Sequence, residues 1–107
     1  MAYSSSAAAV LDALGDPTRR DLLEVLREGP RAVVDIAAAM PVSRPAVSQH
    51  LRVLKEAGLV RDHAVGTRRI YEVNPEGFGQ VRTWFEDFWT DALDAFKRAA
   101  EGERSDR

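Results

Sequence analysis

The strongest constraint on the fold is the helix that the stretch from Ser43 to Gly58 predicts. Ser43 is a good N-cap, because its hydroxyl can accept a hydrogen bond from an amide of the first turn. Pro45 falls in that first turn, where a missing N–H costs little, and Gly58 is typical of the position just past a helix end. The apolar residues between them recur at i, i+4 and i+7 and share one face: Val47, Leu51 and Leu54.

The opposite edge of this helix is short, polar and able to form hydrogen bonds. At about 100° per residue, this edge collects Pro45, Ser48, Gln49, Arg52 and Glu56. Glutamine can pair bidentately with adenine, and arginine can pair with guanine or with a phosphate. A helix with such an edge fits the DNA major groove, although an ordinary solvent-facing edge can have the same composition.

A second, shorter helix is predicted just upstream. Residues 35–40 place Ile36 and Met40 at i, i+4, and only residues 41–42 separate this helix from the next. Two helices joined by so short a turn are typical of a helix-turn-helix.

A β-hairpin is predicted just downstream. Residues 61–73 alternate around a turn at 64–67, in which Gly66 suits a positive φ, and Ile70 marks a buried side. Because Arg68 and Arg69 follow the turn, the hairpin has a basic tip that can serve as a wing against the DNA backbone. A solvated hairpin, with arginines for solubility, is the alternative.

These elements predict a mainly α fold with a small β-hairpin, namely a winged helix-turn-helix with five helices and a wing. We expect residues 1–107 to form a single domain. Within it, residues 33–57 form the helix-turn-helix and residues 59–73 the wing, while residues 5–15 and 75–100 form dimerisation helices. A cap residue followed by proline marks a helix start twice, at Asp16-Pro17 and at Asn74-Pro75.

The last predicted helix, residues 75–100, holds all four Phe and both Trp of the chain. One small domain cannot cover so many aromatics, and aromatics are common interface anchors. We expect this helix to pair with the first helix and with the same helix of a second copy, and residues 101–107 to form a disordered tail. Alternatively, the helix closes the monomer core or lines an aromatic pocket for a small ligand. The expected interface residues are Val10, Leu11, Leu14, Val81, Trp84, Phe85, Phe88, Trp89, Ala92 and Phe96.

Charge is unevenly distributed along the chain. The net charge of −2 argues at first against nucleic acid as a partner, but residues 43–69 hold six basic and two acidic side chains. Residues 75–107 hold five basic and eight acidic ones. The charge near the binding surface matters more for phosphate contact than the net charge of the chain, because exposed charges act within a Debye length of about 8–10 Å.

Five segments in order carry a family resemblance: LGDPTRR (14–20), DIA (35–37), PAVSQHL (45–51), EAGLV (56–60) and GTRRIY (66–71). Together they resemble the ArsR family of bacterial transcriptional repressors. Several segments in the right order are far more specific than any one of them. The resemblance implies a dimeric winged-helix repressor that inserts the helix beginning near Ser43 into the major groove and uses the hairpin as the wing.

In such an arrangement, Ser48, Gln49 and Arg52 read base edges, while the helix start and the wing hold phosphates. His50 lies beside the apolar edge, and the sequence leaves open whether it contacts DNA or bonds to a backbone carbonyl. The expected DNA-contacting residues are Ser43, Arg44, Pro45, Ser48, Gln49, His50, Arg52, Thr67, Arg68 and Arg69.

The chain differs from the metal-sensing members of the ArsR family. Many of these carry a Cys-x-Cys-type motif on the helix before the recognition helix, whereas residues 32–36 have no cysteine and neither does the rest of the chain. The only histidines, His50 and His63, lie in the predicted DNA-reading half. Since transition metals of this kind favour thiolate or imidazole ligands, we expect no metal site and no cofactor.

We therefore expect a cytoplasmic, homodimeric repressor that binds double-stranded DNA at an inverted-repeat operator without metal sensing. The alternatives are a winged-helix protein-interaction module, and a repressor released by a small apolar ligand near the aromatic helix. We do not expect an enzyme, because there is no cysteine and no Gly-rich phosphate loop. Ser48 and His50, at i, i+2 on one helix, do not face each other.

Overall fold

A computed structural model describes residues 5–105 and contains five α-helices, a three-stranded antiparallel sheet and one 3₁₀ turn. This is the expected fold class, a winged helix-turn-helix. The helices are α1 (Ser5–Leu14), α2 (Pro17–Arg27), α3 (Val33–Ala39), α4 (Arg44–Glu56) and α5 (Gly79–Ser105). The strands are β1 (Arg31–Ala32), β2 (Val60–Val65) and β3 (Arg68–Val73), and the 3₁₀ turn is Pro75–Phe78.

The core lies where the apolar faces of the first four helices meet the start of the hairpin. Each helix contributes residues at helical spacing, including the three residues of α4 that the sequence places on one face. Removing an aliphatic side chain of this size from water stabilises a fold by roughly 1.5–3 kcal/mol. The largest fully buried side chains are Val10, Leu22, Ile36, Val47, Leu51, Leu54 and Leu59.

The junction between α1 and α2 is closed by polar side chains. The carboxylate of Asp16 accepts hydrogen bonds from the amides of Thr18 (2.8 Å) and Arg19 (3.1 Å), as its predicted cap role requires. The Arg19 amide is also the main cause of a lowered pKa at Asp16. The guanidinium of Arg19 donates to the Ala13 carbonyl, and that of Arg20 donates to the Leu14 carbonyl, each at 2.7 Å. These bonds satisfy carbonyls that the end of α1 leaves open.

The sheet order is β1-β3-β2, and its hairpin turns through two residues, Gly66 and Thr67. Gly66 has a φ of 61°, and no residue other than glycine has a positive φ in the described part of the chain. A positive φ at only the first turn position is the type II′ arrangement. The strand β1 was not expected from the sequence. It has only two residues, too few to show a period, and it forms by pairing Ala32 with the distant Ile70.

The start of the last helix also differs from expectation. Asn74 makes no side-chain cap bond, and residues 75–78 form a 3₁₀ turn, so Phe78 lies before α5 rather than on it. The side-chain amide of Asn74 instead donates to the Gly58 carbonyl at 3.0 Å, and its backbone amide donates to the Leu59 carbonyl at 2.9 Å. These bonds hold the chain against the end of α4 for one turn before α5 begins.

The helix α5 is longer than the sequence indicated. It continues to Ser105, so the expectation of a disordered tail from residue 101 is wrong for residues 101–105, and residues 106–107 lie outside the described part. Good helix formers near residue 100 let the helix continue, and Gly102 alone does not end it. At 1.5 Å per residue, its 27 residues span about 40 Å. The molecule is accordingly elongated, with extents of 71 × 25 × 23 Å.

Two of the expected dimer contacts belong instead to the protomer core. Val10 is 1% exposed and Val81 is 5% exposed, and both pack within the main apolar cluster. Helical periodicity identifies an apolar face correctly but does not say which neighbour covers it. Assigning these two residues to an interface between copies was therefore wrong.

We predict that Gly77→Ala destabilises the protein by about 1–3 kcal/mol, because the new methyl group would overlap the backbone carbonyl of Gly58. Gly79→Ala is the matched control, since nothing lies within 4 Å of a Cβ at that position. The control should change the free energy of unfolding by less than about 1 kcal/mol, in the stabilising direction. Urea unfolding of both variants measures the difference, and equal stabilities would contradict this packing of the 3₁₀ turn on the end of α4.

Candidate nucleic-acid interface

The helix α4 presents its polar edge outward while its apolar face anchors it. Ser43 caps the helix as predicted, with its hydroxyl accepting a hydrogen bond from the Ala46 amide at 3.3 Å. The helix ends before Gly58, whose φ is 81°. From its start as far as residue 52, the exposed residues of α4 are Arg44, Pro45, Ser48, Gln49 and Arg52.

The tip of the hairpin lies beside the first residue of α4. Arg44, Thr67, Arg68 and Arg69 line one groove of about 170 Å³, together with residues 32–34 at the junction of β1 and α3. The sequence assigned these four residues to DNA contact from two separate segments, and the fold brings them together. Three guanidiniums on one groove form a surface suited to a phosphate backbone.

The carboxylate of Asp62 joins the hairpin to α4. Its side chain is only 8% exposed, and its oxygens lie 2.8 Å from the Lys55 ammonium and 3.4 Å from the Arg69 guanidinium. The hydrogen bond from Lys55 lowers the pKa of Asp62, and the charges of Lys55 and Arg69 lower it further against the effect of burial. The group therefore stays ionised at neutral pH and fixes the wing relative to α4.

Other basic side chains of this surface also have carboxylate partners. Arg68 lies 2.7 Å from Asp35 of α3, and Arg61 lies 2.9 Å from Glu72 on the neighbouring strand. In the described part of the chain, Arg44 and Arg52 have no ion-pair partner. Sequence reasoning missed the roles of Asp35 and Asp62. The role of Asp62 could have been suspected from the sequence, because it is one of only two acidic residues among the six basic ones of residues 43–69.

His50 faces inward more than outward. Its ring is half-buried, and its Nδ1 is buried with no hydrogen-bond partner among the described residues. It lies near Asp16, whose pKa is lowered mainly by the hydrogen bond from the Arg19 amide and least by His50. The Nδ1 atom therefore makes neither of the two contacts considered for His50, and contact of the rest of the ring with DNA stays a prediction.

A second candidate surface runs along α5. Five large apolar side chains there are between 39% and 71% exposed: Phe85, Phe88, Trp89, Leu93 and Phe96. Trp84 packs beneath them, with its ring centroid 5.0 Å from that of Phe85 and 5.7 Å from that of Phe88. We call these six residues the α5 stripe. Leu11 and Leu14 of α1, also expected at the interface, are partly buried against the core, and Ala92 is exposed.

A cavity of about 390 Å³ lies near the start of α5, between α2 and the end of the hairpin. Its apolar walls are Leu14, Leu23, Val73 and Phe78, and Arg20, Glu24 and Arg27 line it as well. No three His, Asp or Glu side chains among the described residues are grouped so as to hold a metal ion. No helix within residues 5–105 is both long and apolar enough to cross a membrane.

Comparisons with known proteins agree with this geometry. The family described as "Bacterial regulatory protein, arsR family" matches residues 16–62. The chain is 50% identical to the HTH-type transcriptional regulator Rv2034 of Mycobacterium tuberculosis over 94 residues, which are 88% of each chain. It is 35% identical to the transcriptional repressor SdpR of Bacillus subtilis over 79 residues, which are 74% of this chain and 88% of that repressor.

A solved structure has the same fold. It is the solution NMR structure of the homodimeric winged helix-turn-helix DNA-binding domain Mb0332 from Mycobacterium bovis, described as a possible ArsR-family transcriptional regulator. The TM-score is 0.65 at 30% identity, over 84% of this chain and 83% of that domain. With half of the aligned residues shared with one regulator over most of both chains, and with the winged helix-turn-helix in place, this chain belongs to the arsR family of bacterial transcriptional regulators.

Proposed function

We propose that this arsR-family regulator is a homodimeric repressor that reads an inverted-repeat operator through α4 and holds the flanking DNA backbone through its wing. We propose that it acts in the bacterial cytoplasm, where its operator DNA is located. The observation that carries the proposal is the groove in which the first residue of α4 and the arginines of the hairpin tip lie side by side.

The α5 stripe supports the homodimer. Each protomer leaves these aromatic side chains in water, although burial of apolar surface is worth roughly 25 cal/mol per Å². A second copy offers an identical stripe, and a two-fold interface joins the same patch of both copies. The similar domain from Mycobacterium bovis is itself described as homodimeric. We assign Leu11, Leu14, Ala92 and the α5 stripe to this interface.

The exposed edge of α4 supports base readout. Ser48, Gln49 and Arg52 point away from the core on consecutive turns, which is the arrangement that a major groove accepts. Arg44 and the wing would then hold the backbone on either side. In a two-fold dimer, two such helices enter successive major grooves about 34 Å apart, and occupancy of the site blocks transcription.

A second candidate function is release from DNA by a small, mainly apolar ligand. The sequence placed such a ligand near the aromatic helix, whereas the cavity that we propose for it lies before α5 and has Phe78 as its one aromatic wall residue. The observation that favours it is the 390 Å³ cavity between α2, the end of the hairpin and the 3₁₀ turn, since small-molecule sites usually measure about 300–1,000 Å³. We propose no metal in this release, because the chain has no cysteine thiolate to offer.

We predict that Gln49→Ala and Arg44→Ala weaken DNA binding in different ways. Loss of Gln49 should cost about 1–3 kcal/mol on the preferred site and relax the choice of base at one position of each half-site. Loss of Arg44 should weaken all duplexes similarly and reduce the salt slope by about one. Parallel selections from a random-sequence pool, followed by salt titrations with labelled duplexes, distinguish these results. If both variants bound as the wild type does, the proposed reading surface would be wrong.

We predict that Trp89→Lys converts the dimer to a monomer at micromolar concentration, because it places a charge within the paired α5 stripes. Thr90→Lys, with the same new charge on the adjacent exposed position, should leave the dimer intact. Sedimentation velocity of the three proteins gives the answer. A wild-type monomer, or a Trp89→Lys dimer, would contradict the interface.

A further inference from the structure

The ion pair between Arg68 and Asp35 occupies a DNA-facing arginine before any DNA is present. The guanidinium Nη2 lies 2.7 Å from the carboxylate Oδ2, and Arg68 also lines the groove shared with Arg44, Thr67 and Arg69. Both partners are about half exposed, at 53% and 54%. An ion pair this exposed stabilises a fold little, so its arginine can change partner easily.

The neighbouring carboxylate behaves differently. The Asp62 side chain is 8% exposed and is held by two cations, one from α4 and one from β3. Removing Asp62 would leave those cations without their shared partner and would release the wing. Asp35, by contrast, contacts a single cation in a pair open to solvent. Among the described residues, its one ion-pair partner is the arginine that the proposed function assigns to phosphate.

We propose that Asp35 is a specificity-determining residue that stands in for a DNA phosphate. Its carboxylate and a phosphate compete for the same guanidinium donors. On a duplex that α4 does not recognise, the backbone is not held in register and Arg68 stays with Asp35. On the operator, base contacts place a phosphate at the wing, and Arg68 exchanges Asp35 for it. Asp35 thereby weakens binding to unrelated sequences more than binding to the operator.

This inference rests on the proposed function. It predicts a change in DNA affinity on substitution of Asp35 that is opposite in sign to the change expected from a purely structural role. If the pair served only to hold the wing against α3, Asp35→Asn would loosen the wing and weaken DNA binding. If Asp35 competes with phosphate, the same substitution strengthens binding to unrelated DNA.

The test measures Asp35→Asn against Asp91→Asn, which makes the same charge change on an exposed position of α5. Fluorescence anisotropy compares a labelled duplex of scrambled sequence with a duplex that the wild type selects. Asp35→Asn should bind the scrambled duplex about two- to five-fold more tightly than wild type, with a salt slope steeper by about one. Its affinity for the selected duplex should rise less, so that discrimination falls, while Asp91→Asn matches wild type.

The Arg68→Gln background shows whether the pair is responsible. Without the guanidinium there is nothing to release, so adding Asp35→Asn should then have no effect. Thermal unfolding shows whether each variant is folded, and Asp35→Ser repeats the loss of the negative charge with a smaller polar side chain.

Three outcomes are decisive against the inference. Unchanged or weaker binding of the scrambled duplex by Asp35→Asn would overturn it. So would a gain that persists with Arg68→Gln, since Asp35 would then act by general repulsion of DNA. Failure of every variant, including wild type, to bind any duplex would instead overturn the proposed function, and this inference with it.

Discussion

The α5 stripe is the constraint on which the functional geometry depends. A protomer of this size packs its apolar core fully, yet five large apolar side chains of one helix remain 39–71% exposed. No other element of the described chain covers these five side chains fully. We propose that a second copy covers this surface with the same residues. The two-fold axis of such a pair would set how the two reading helices face DNA.

Polar contacts join the wing to α4, which its own apolar face anchors in the core. Asp62 connects the hairpin to α4 through Lys55, and Asn74 connects the end of the hairpin to the Gly58 carbonyl at the end of the same helix. Both contacts lie at the C-terminal end of α4, on the opposite end from Arg44. The wing is thus anchored at its base, while its tip stays at the groove where α4 begins. Phosphate contacts need this kind of fixed register, because they position a protein on a duplex that base contacts then read.

Local signals made much of the fold predictable. Ser43, Pro45 and Gly58 act through the backbone of their own turn, so they located α4 correctly, and Gly66 located the hairpin turn for the same reason. What could not be predicted depends on distant partners. The strand β1 exists only through its pairing with β3, and Asn74 bonds to Gly58 instead of capping the helix that follows it. The same holds for the candidate site. The exposed edge of α4 could be predicted from its helical period, whereas the carboxylates that pair with Arg68 and Arg69 come from separate elements and could not.

The central claim is that pairing of the α5 stripes presents two copies of α4 to one face of the DNA. Hydroxyl-radical footprinting of the wild-type protein on its selected duplex tests this most directly. We expect two protected blocks of equal extent, related by two-fold symmetry, with centres about 10–10.5 base pairs apart or a multiple of that spacing. A single protected block, or two blocks arranged as a direct repeat, would contradict it.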